Sequence, residues 1–538
     1  MGKPRRKFWG WGYEGDVLSP DEIRWLESAW AKQFRISQFE VTPTPAVEEI
    51  HLRPSRLAIP ARLVQICTTE QYERLLHSYG YSFPDSARKF ARDFSNPPDV
   101  IAYPRNEQDV LALLDWCYDA GAAVIPFGGG TSVVGGVEPP RDYPAVVTID
   151  MKRMNRVLEI DPVSQTALIQ AGTPGPELER QLKPGGLTLR FFPQSFEYST
   201  LGGWIATHAG GHFATLHTHI DDVVESLQAV TPIGMMESRR FPASGAGPDP
   251  DRLWLGSEGI LGIVTQAWVR LVKQPAFRSA STVQFQDFFS AVEAVRAISQ
   301  AALYPANCRL LDPLEALINA QGDGKHAVLV LAFESADHPV NEWLKRALEL
   351  CADYGGEYDT QTINQKDAHR SGAAGQWRER FLRMPWLREE LTARGIISDT
   401  FETAITWERF PTLYTSVKEA TERAVKEATG QPGVVSCRLT HIYPDGPAAY
   451  FTFGGLGNKS ALVDQFWTIK KAASYALLKA GGTITHHHAV GRDHRQWYDQ
   501  ERPEVFATAL GAVKSTYDPK WLLNPGVLID PQRASPAR

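Results

Sequence analysis

Residues 126–136 read Pro-Phe-Gly-Gly-Gly-Thr-Ser-Val-Val-Gly-Gly, and the fold is decided there. Five glycines in eleven residues (Gly128, Gly129, Gly130, Gly135 and Gly136) let the backbone turn tightly and approach a ligand without Cβ clashes. The N–H groups exposed by such a turn form a concave cradle for an anion. Upstream, Glu107–Ala120 places Val110, Leu113, Leu114 and Cys117 on one face, which predicts an amphipathic helix stopped by Gly121. Ala122–Ile125 predicts a short buried strand feeding the loop, and Val146–Asp150 a second strand beyond it. The loop lacks the Lys-Ser/Thr of a nucleotide triphosphate loop, and Val133 stands where a G-x-G-x-x-G fingerprint needs its last glycine. Read alone, these residues also suit a plain connector between strands.

Composition bounds the rest. A chain of 538 residues is too long for one core and implies two or three domains. Hydrophobic residues at 43% and charged residues at 22% fit a soluble globular protein, and a net charge of −6 carries no footprint for nucleic acid. The five cysteines are scattered with no C-x-x-C pair, which argues against a disulfide framework or structural zinc and for a reducing compartment. There is no apolar run of membrane-spanning length, no secretory core and no C-terminal Ser-Lys-Leu, so cytoplasm is the expectation.

Residues 1–95 read as helices with long connections, with an aromatic cluster at Phe8–Tyr13 suited to clamping a domain surface. Residues 96–275 alternate short strands and helices. They include two further glycine-bearing turns, Pro193–Gly211 and Gly256–Thr265, suited to backbone contacts with a planar ligand. Residues 276–510 repeat a β-α-β grammar twice, predicting an antiparallel sheet with helices on one face, a lid over a flat ligand. Its last strand is expected at Thr483–His488. Between its halves, Asn364–Arg394 is polar and Arg-rich: a mobile active-site segment, a membrane-facing patch or a solvated helical face. Residues 511–538 form a tail.

Three groups could carry chemistry. His486, His487 and His488 are adjacent; on a strand the first and third share a face, and proton transfer suits them better than metal binding. A metal with His441 or His494 as further ligands lacks a carboxylate at ligand spacing, so none is expected. Tyr450 fits either a core tyrosine or an acid/base group. Arg309 and Arg388 fit either surface or domain-interface salt bridges or bidentate anion binding.

The glycine loop resembles the pyrophosphate loop of flavoproteins in the vanillyl-alcohol oxidase superfamily. Over nearly its whole length the chain is similar to alkyldihydroxyacetonephosphate synthases. The resemblance runs through Trp9–Tyr13, Gly128–Val133, Gln170–Gly172, Glu197–Gly203, Gly256–Gly259, Arg309–Asp312, Arg388, Phe401–Thr403, Tyr450 and His486–His488. It implies an α+β fold: a two-subdomain FAD-binding domain of PCMH type, an antiparallel-sheet cap, a helical N-terminal segment and a tail returning to the FAD domain. It implies FAD contacts at Pro126, Gly128, Gly129, Gly130, Thr131, Ser132 and Val133. Further contacts are implied at Gln194, Ser195, Ser199, Thr200, Gly202, Gly203 and Thr207, and then at Glu258, Gly259, Gly262 and Ile263. His208, His212 and His217 fit no attachment pattern, so the FAD is expected to be non-covalent.

Members exchange the acyl group of acyl-dihydroxyacetone phosphate for a fatty alcohol through an adduct at flavin N5, without net redox turnover. The resemblance makes Tyr450 the acid/base group, with His486–His488 and Arg309 needed for activity and Arg388 holding the substrate's anionic end. The implied partners are a small or lipid-like substrate, a peripheral membrane contact and a second copy of the chain. Three features depart from the family pattern: the missing peroxisomal signal, His441 with the Pro444–Gly446 turn, and the character of Asn364–Arg394. The alternative is an FAD oxidase or dehydrogenase of the same superfamily acting on a hydroxy acid or alcohol. Its metal-linked His-x-Gly-Asp-Gly-Asn-x-His motif is not matched by His441–Tyr450, whose second histidine is absent.

Overall fold

A computed structural model describes residues 5–319, 322–359 and 386–530. Residues 364–385 of the Arg-rich stretch lie outside them. Around the glycine loop the local signals act as physics requires. Asn106 caps the helix Glu107–Ala120 by accepting from the Asp109 amide, and Gly121 ends it at φ 62°. The helix buries Val110, Leu113, Leu114 and Cys117 against Val124 and Val147. The strand Ala123–Phe127 pairs in parallel with Val146–Asp150, and that strand with Val100–Ala102; Cys67–Thr68 adds an antiparallel edge. A second, antiparallel sheet runs in the order Val157–Asp161, Thr166–Gln170, Ile263–Arg270, Val224–Thr231, Gly234–Glu237. Residues of the glycine loop and of the other two glycine-bearing turns line one cavity.

The cap is a seven-stranded antiparallel sheet in the order Glu357–Tyr358, Phe277–Phe285, Ala327–Ser335, Asn307–Leu311, Val434–Ile442, Pro447–Leu456, Ile396–Ala404. Its side chains alternate with period two, and that alternation builds the site. Cys308, Leu310, Cys437, Leu439, Phe451, Phe453 and Phe401 point into a core with the helices Phe288–Gln300, Asn341–Asp353, Phe410–Thr429 and Leu462–Ala480. Burying each large apolar side chain there contributes about 1.5–3 kcal/mol. The intervening residues Arg309, Arg438, Thr440, Tyr450, Thr452 and Thr400 line a cavity on the opposite face. The architecture is the α+β arrangement that the sequence implies.

Two segments complete the frame. The C-terminal stretch returns to the first sheet, where Val124 donates to the Leu522 carbonyl and the Asn524 amide donates to that of Val124, each at 2.8 Å. Near the N-terminus Trp11 stacks on Tyr81 at 4.2 Å, and the helix Pro20–Phe34 opens with a Ser19/Glu22 capping box.

The predicted strand Thr483–His488 is a correction. The segment has no strand pairing, because the amides of His486, His487 and His488 all donate to the Glu402 carboxylate instead of to a ladder. The alternation of faces argued for the three histidines therefore does not apply.

Candidate active site

A cavity of about 970 Å³ lies between the FAD-domain turns and the polar face of the cap sheet. One wall is backbone and small side chains: Pro126, Gly128–Val133, Gln194, Ser195, Ser199, Thr200, Gly203, Thr207, Glu258 and Gly259. Gly202, Gly262 and Ile263 are not on it. A Cβ on Gly202 would meet Ala171, one on Gly262 would meet Trp254, and Ile263 packs in the first sheet's core.

The cradle fits a flavin dinucleotide on its own terms. There is no room for side chains on the loop: a Cβ at Gly128 would lie 2.3 Å from Thr200 Oγ1, and one at Gly129 2.0 Å from the Tyr198 carbonyl oxygen. Thr200 and the loop are thus in contact, leaving a surface rich in backbone groups in a cavity large enough for a cofactor-sized ligand. Glu258, itself at φ 50°, accepts from the Val490 and Gly491 amides at 2.9 Å each, tying the third turn to the chain just past His488. Burial pushes its carboxyl up to about 7.

Over this wall stands Tyr450, only 5% exposed, its hydroxyl donating to Thr400 Oγ1 at 2.9 Å. Strand register sets Arg438 beside it, and the guanidinium sits 4.0 Å from the centre of the phenol ring. Burial raises the Tyr450 pKa, and the Arg438 charge pulls it back. Arg438 is itself buried and paired with Glu315. Arg309 lines the same cavity and donates to the His212 carbonyl at 3.2 Å. Burial and then the like charge of Arg438 push its pKa down to about 9, which leaves it cationic at neutral pH. Arg388 also lines the cavity while pairing with Asp399 inside the cap at 2.6 Å and donating to the Tyr81 carbonyl of the N-terminal region, so it ties the two together as well as placing a cation at the site.

His487 and His488 line the cavity and flank Tyr450, with ring centres 5.9 and 5.3 Å from it; His486 stands behind His487. All three are held by Glu402, a buried carboxylate that also accepts from the Thr485 hydroxyl. Burial alone would push Glu402 up, but His488, His486 and these donors hold it at about 2. Burial drives the three imidazoles down, so they are neutral at pH 7. His441, His486 and His487 each bring a ring nitrogen within 4.8 Å of the others. Among their ring nitrogens, His441 Nε2 is bonded to the Gly211 carbonyl at 2.9 Å and the Nδ1 atoms of His486 and His487 to each other at 2.9 Å. Glu402 and Arg438 are the residues sequence reasoning missed. Both were within reach of strand pairing, since Glu402 and Arg438 are the two register partners of Tyr450.

Comparison with known proteins places the chain in a family. Residues 98–238 match a family model described as an FAD binding domain, and residues 274–528 one described as the C-terminal domain of FAD linked oxidases. The chain is 30% identical to the alkyldihydroxyacetonephosphate synthase of Dictyostelium discoideum, over 91% of this chain and 84% of that protein. The chain belongs to the alkyldihydroxyacetonephosphate synthase family. The synthase of Trypanosoma brucei brucei is 29% identical over 97% of this chain and 92% of its own. A solved alkyldihydroxyacetonephosphate synthase structure superposes with a TM-score of 0.79 at 26% identity, covering 97% of this chain and 98% of that one. As a member of this synthase family the chain is an FAD-dependent enzyme.

Proposed function

We propose that this enzyme replaces the acyl group of an acyl-dihydroxyacetone phosphate with a long-chain alcohol, using FAD without net redox turnover. The observation that carries the reading is Tyr450, held between Arg438 and the histidines on the wall opposite the glycine cradle. Pro126, Gly128–Val133, Gln194, Ser195, Ser199, Thr200, Gly203, Thr207 and Gly259 would hold the FAD, which supplies an electrophilic ring system able to carry the substrate's carbon through the exchange. Tyr450 would take the proton at the substrate's C1, the Arg438 cation against its ring offsetting part of the burial that disfavours its phenolate. His487 and His488, neutral and buried, can accept or give a proton beside it. Arg388 and Arg309 supply the positive charge for the phosphate.

The cavity continues along an apolar wall of Leu18, Trp25, Leu26 and Trp30 from the N-terminal helix, with Leu387 and Leu391, which suits an alkyl chain. No helix among the described residues is long and apolar enough to cross a membrane. Independently of that, the proposal takes in cytoplasmic placement with peripheral membrane contact, and a homodimer, which vesicle flotation and sedimentation test. The reaction itself is tested with purified holoenzyme and a labelled long-chain alcohol. Label appearing in an ether product, with equimolar release of fatty acid, supports the reading; no incorporation overturns it.

A further inference from the structure

The histidines at the cavity wall continue outward as a connected file. His487 Nδ1 lies 2.9 Å from His486 Nδ1. His486 Nε2 lies 2.7 Å from the Tyr443 hydroxyl and 3.2 Å from His219 Nε2, and that hydroxyl is 2.9 Å from His219 Nε2. The His219 ring centre is 5.1 Å from that of His208, whose side chain is 46% exposed and pairs with Asp221 at 3.3 Å. The inner members are buried or half-buried, and the file crosses from the cap to the FAD domain. The functional reading above leaves His208, His219 and Tyr443 without a task.

A proton count supplies one. In the exchange a neutral alcohol enters and a carboxylate departs: the bond from C1 to the acyl oxygen breaks, and a bond from C1 to the alcohol oxygen forms. The alcohol's proton is left over, so at neutral pH each turnover releases one proton inside a buried site. Resting on that functional reading, we infer that His486, Tyr443 and His219 relay this proton from His487 at the cavity wall to His208 at the surface.

From His487 to His219 each hop uses an existing contact. A neutral imidazole has one donor and one acceptor nitrogen, and a phenol hydroxyl both gives and accepts, so as a proton bonds at one side the N–H or O–H at the other breaks and hands its proton on. Burial holds His219 and His486 below the ordinary histidine range, so an added proton is passed on instead of stored. The last gap, 5.1 Å between the His219 and His208 ring centres, is of a width that a single water would bridge. The competing role is a latch between cap and FAD domain, which would act on folding and cofactor retention rather than on proton flow.

The test uses the FAD-loaded full chain carrying Tyr443→Phe or His219→Gln, the second variant serving if the first does not retain FAD. The relay predicts a kcat for exchange at least about tenfold lower. It also predicts an unchanged KM for the acyl substrate, and partial recovery of kcat when free imidazole is added as a soluble proton carrier. Wild-type kcat should not respond to imidazole. An unchanged kcat, or a loss that imidazole leaves untouched while FAD content is normal, overturns the relay. So does a stoichiometric divalent metal on the purified protein whose removal reproduces the loss. If wild type itself performs no exchange, the functional reading and the relay fall together; if wild type is active and neither variant is slowed, the relay alone falls.

Discussion

Replacing Glu402 with Gln should be costly, and the cost should depend on pH in a particular way. The carboxylate accepts the amides of His486, His487 and His488 and the Thr485 hydroxyl, with its side chain 1% exposed. In the variant one of the two oxygens becomes an NH₂. Either the His486 amide, which bonds one oxygen, or the group of donors on the other then faces a donor. Losing a charge-assisted bond and leaving a buried amide unpaired costs roughly 3 kcal/mol. The titration points the same way: the histidines and the donors hold the folded carboxyl at about 2, below its ordinary range, so its ionised form is favoured by folding. Because the folded pKa is depressed, this stabilisation is fully present above pH 4.5 and is lost as pH falls towards 2. Urea unfolding of wild type and Glu402→Gln across that range is the assay. The account predicts a gap of about 3 kcal/mol at pH 7 that closes on acidification. A gap under about 1 kcal/mol at pH 7, or one that does not change with pH, would refute the reasoning.

Other substitutions probe the remaining parts. Tyr450→Phe removes the hydroxyl on Thr400 and should leave FAD bound while exchange falls by about 10² or more; normal turnover would take Tyr450 out of the mechanism. Gly129→Ala puts a Cβ 2.0 Å from the Tyr198 carbonyl oxygen, a backbone atom that cannot swing aside, so the purified protein should lack flavin absorbance. Arg388→Lys keeps the charge but loses the fork, and should raise KM for the anionic substrate about tenfold with a smaller effect on kcat.

Much of the frame was legible because its signals are local. The helix Glu107–Ala120 announces itself by apolar spacing and a glycine stop, and the strand Val146–Asp150 by its β-branched run. The glycine loop was legible as a cradle because few residues tolerate such crowding. The partners of Tyr450 were harder. Arg438 is twelve positions away and Glu402 forty-eight, and only strand register brings each beside it. Thr483–His488 was misread for a related reason: its composition suits a strand, but a distant carboxylate takes the amides that a strand would have paired. The file from His487 to His208 joins residues from three separate parts of the chain, and no spacing rule connects them.

The central claim is that an enzyme built on a flavin cradle performs an exchange with no net electron transfer. The most direct measurement follows flavin absorbance in a sealed anaerobic cuvette holding the purified protein, an acyl-dihydroxyacetone phosphate and a long-chain alcohol. The account predicts that ether and fatty acid accumulate in equal amounts and that the flavin ends fully oxidised with no acceptor added. Flavin that stays bleached until an electron acceptor arrives, with no ether formed, would contradict it.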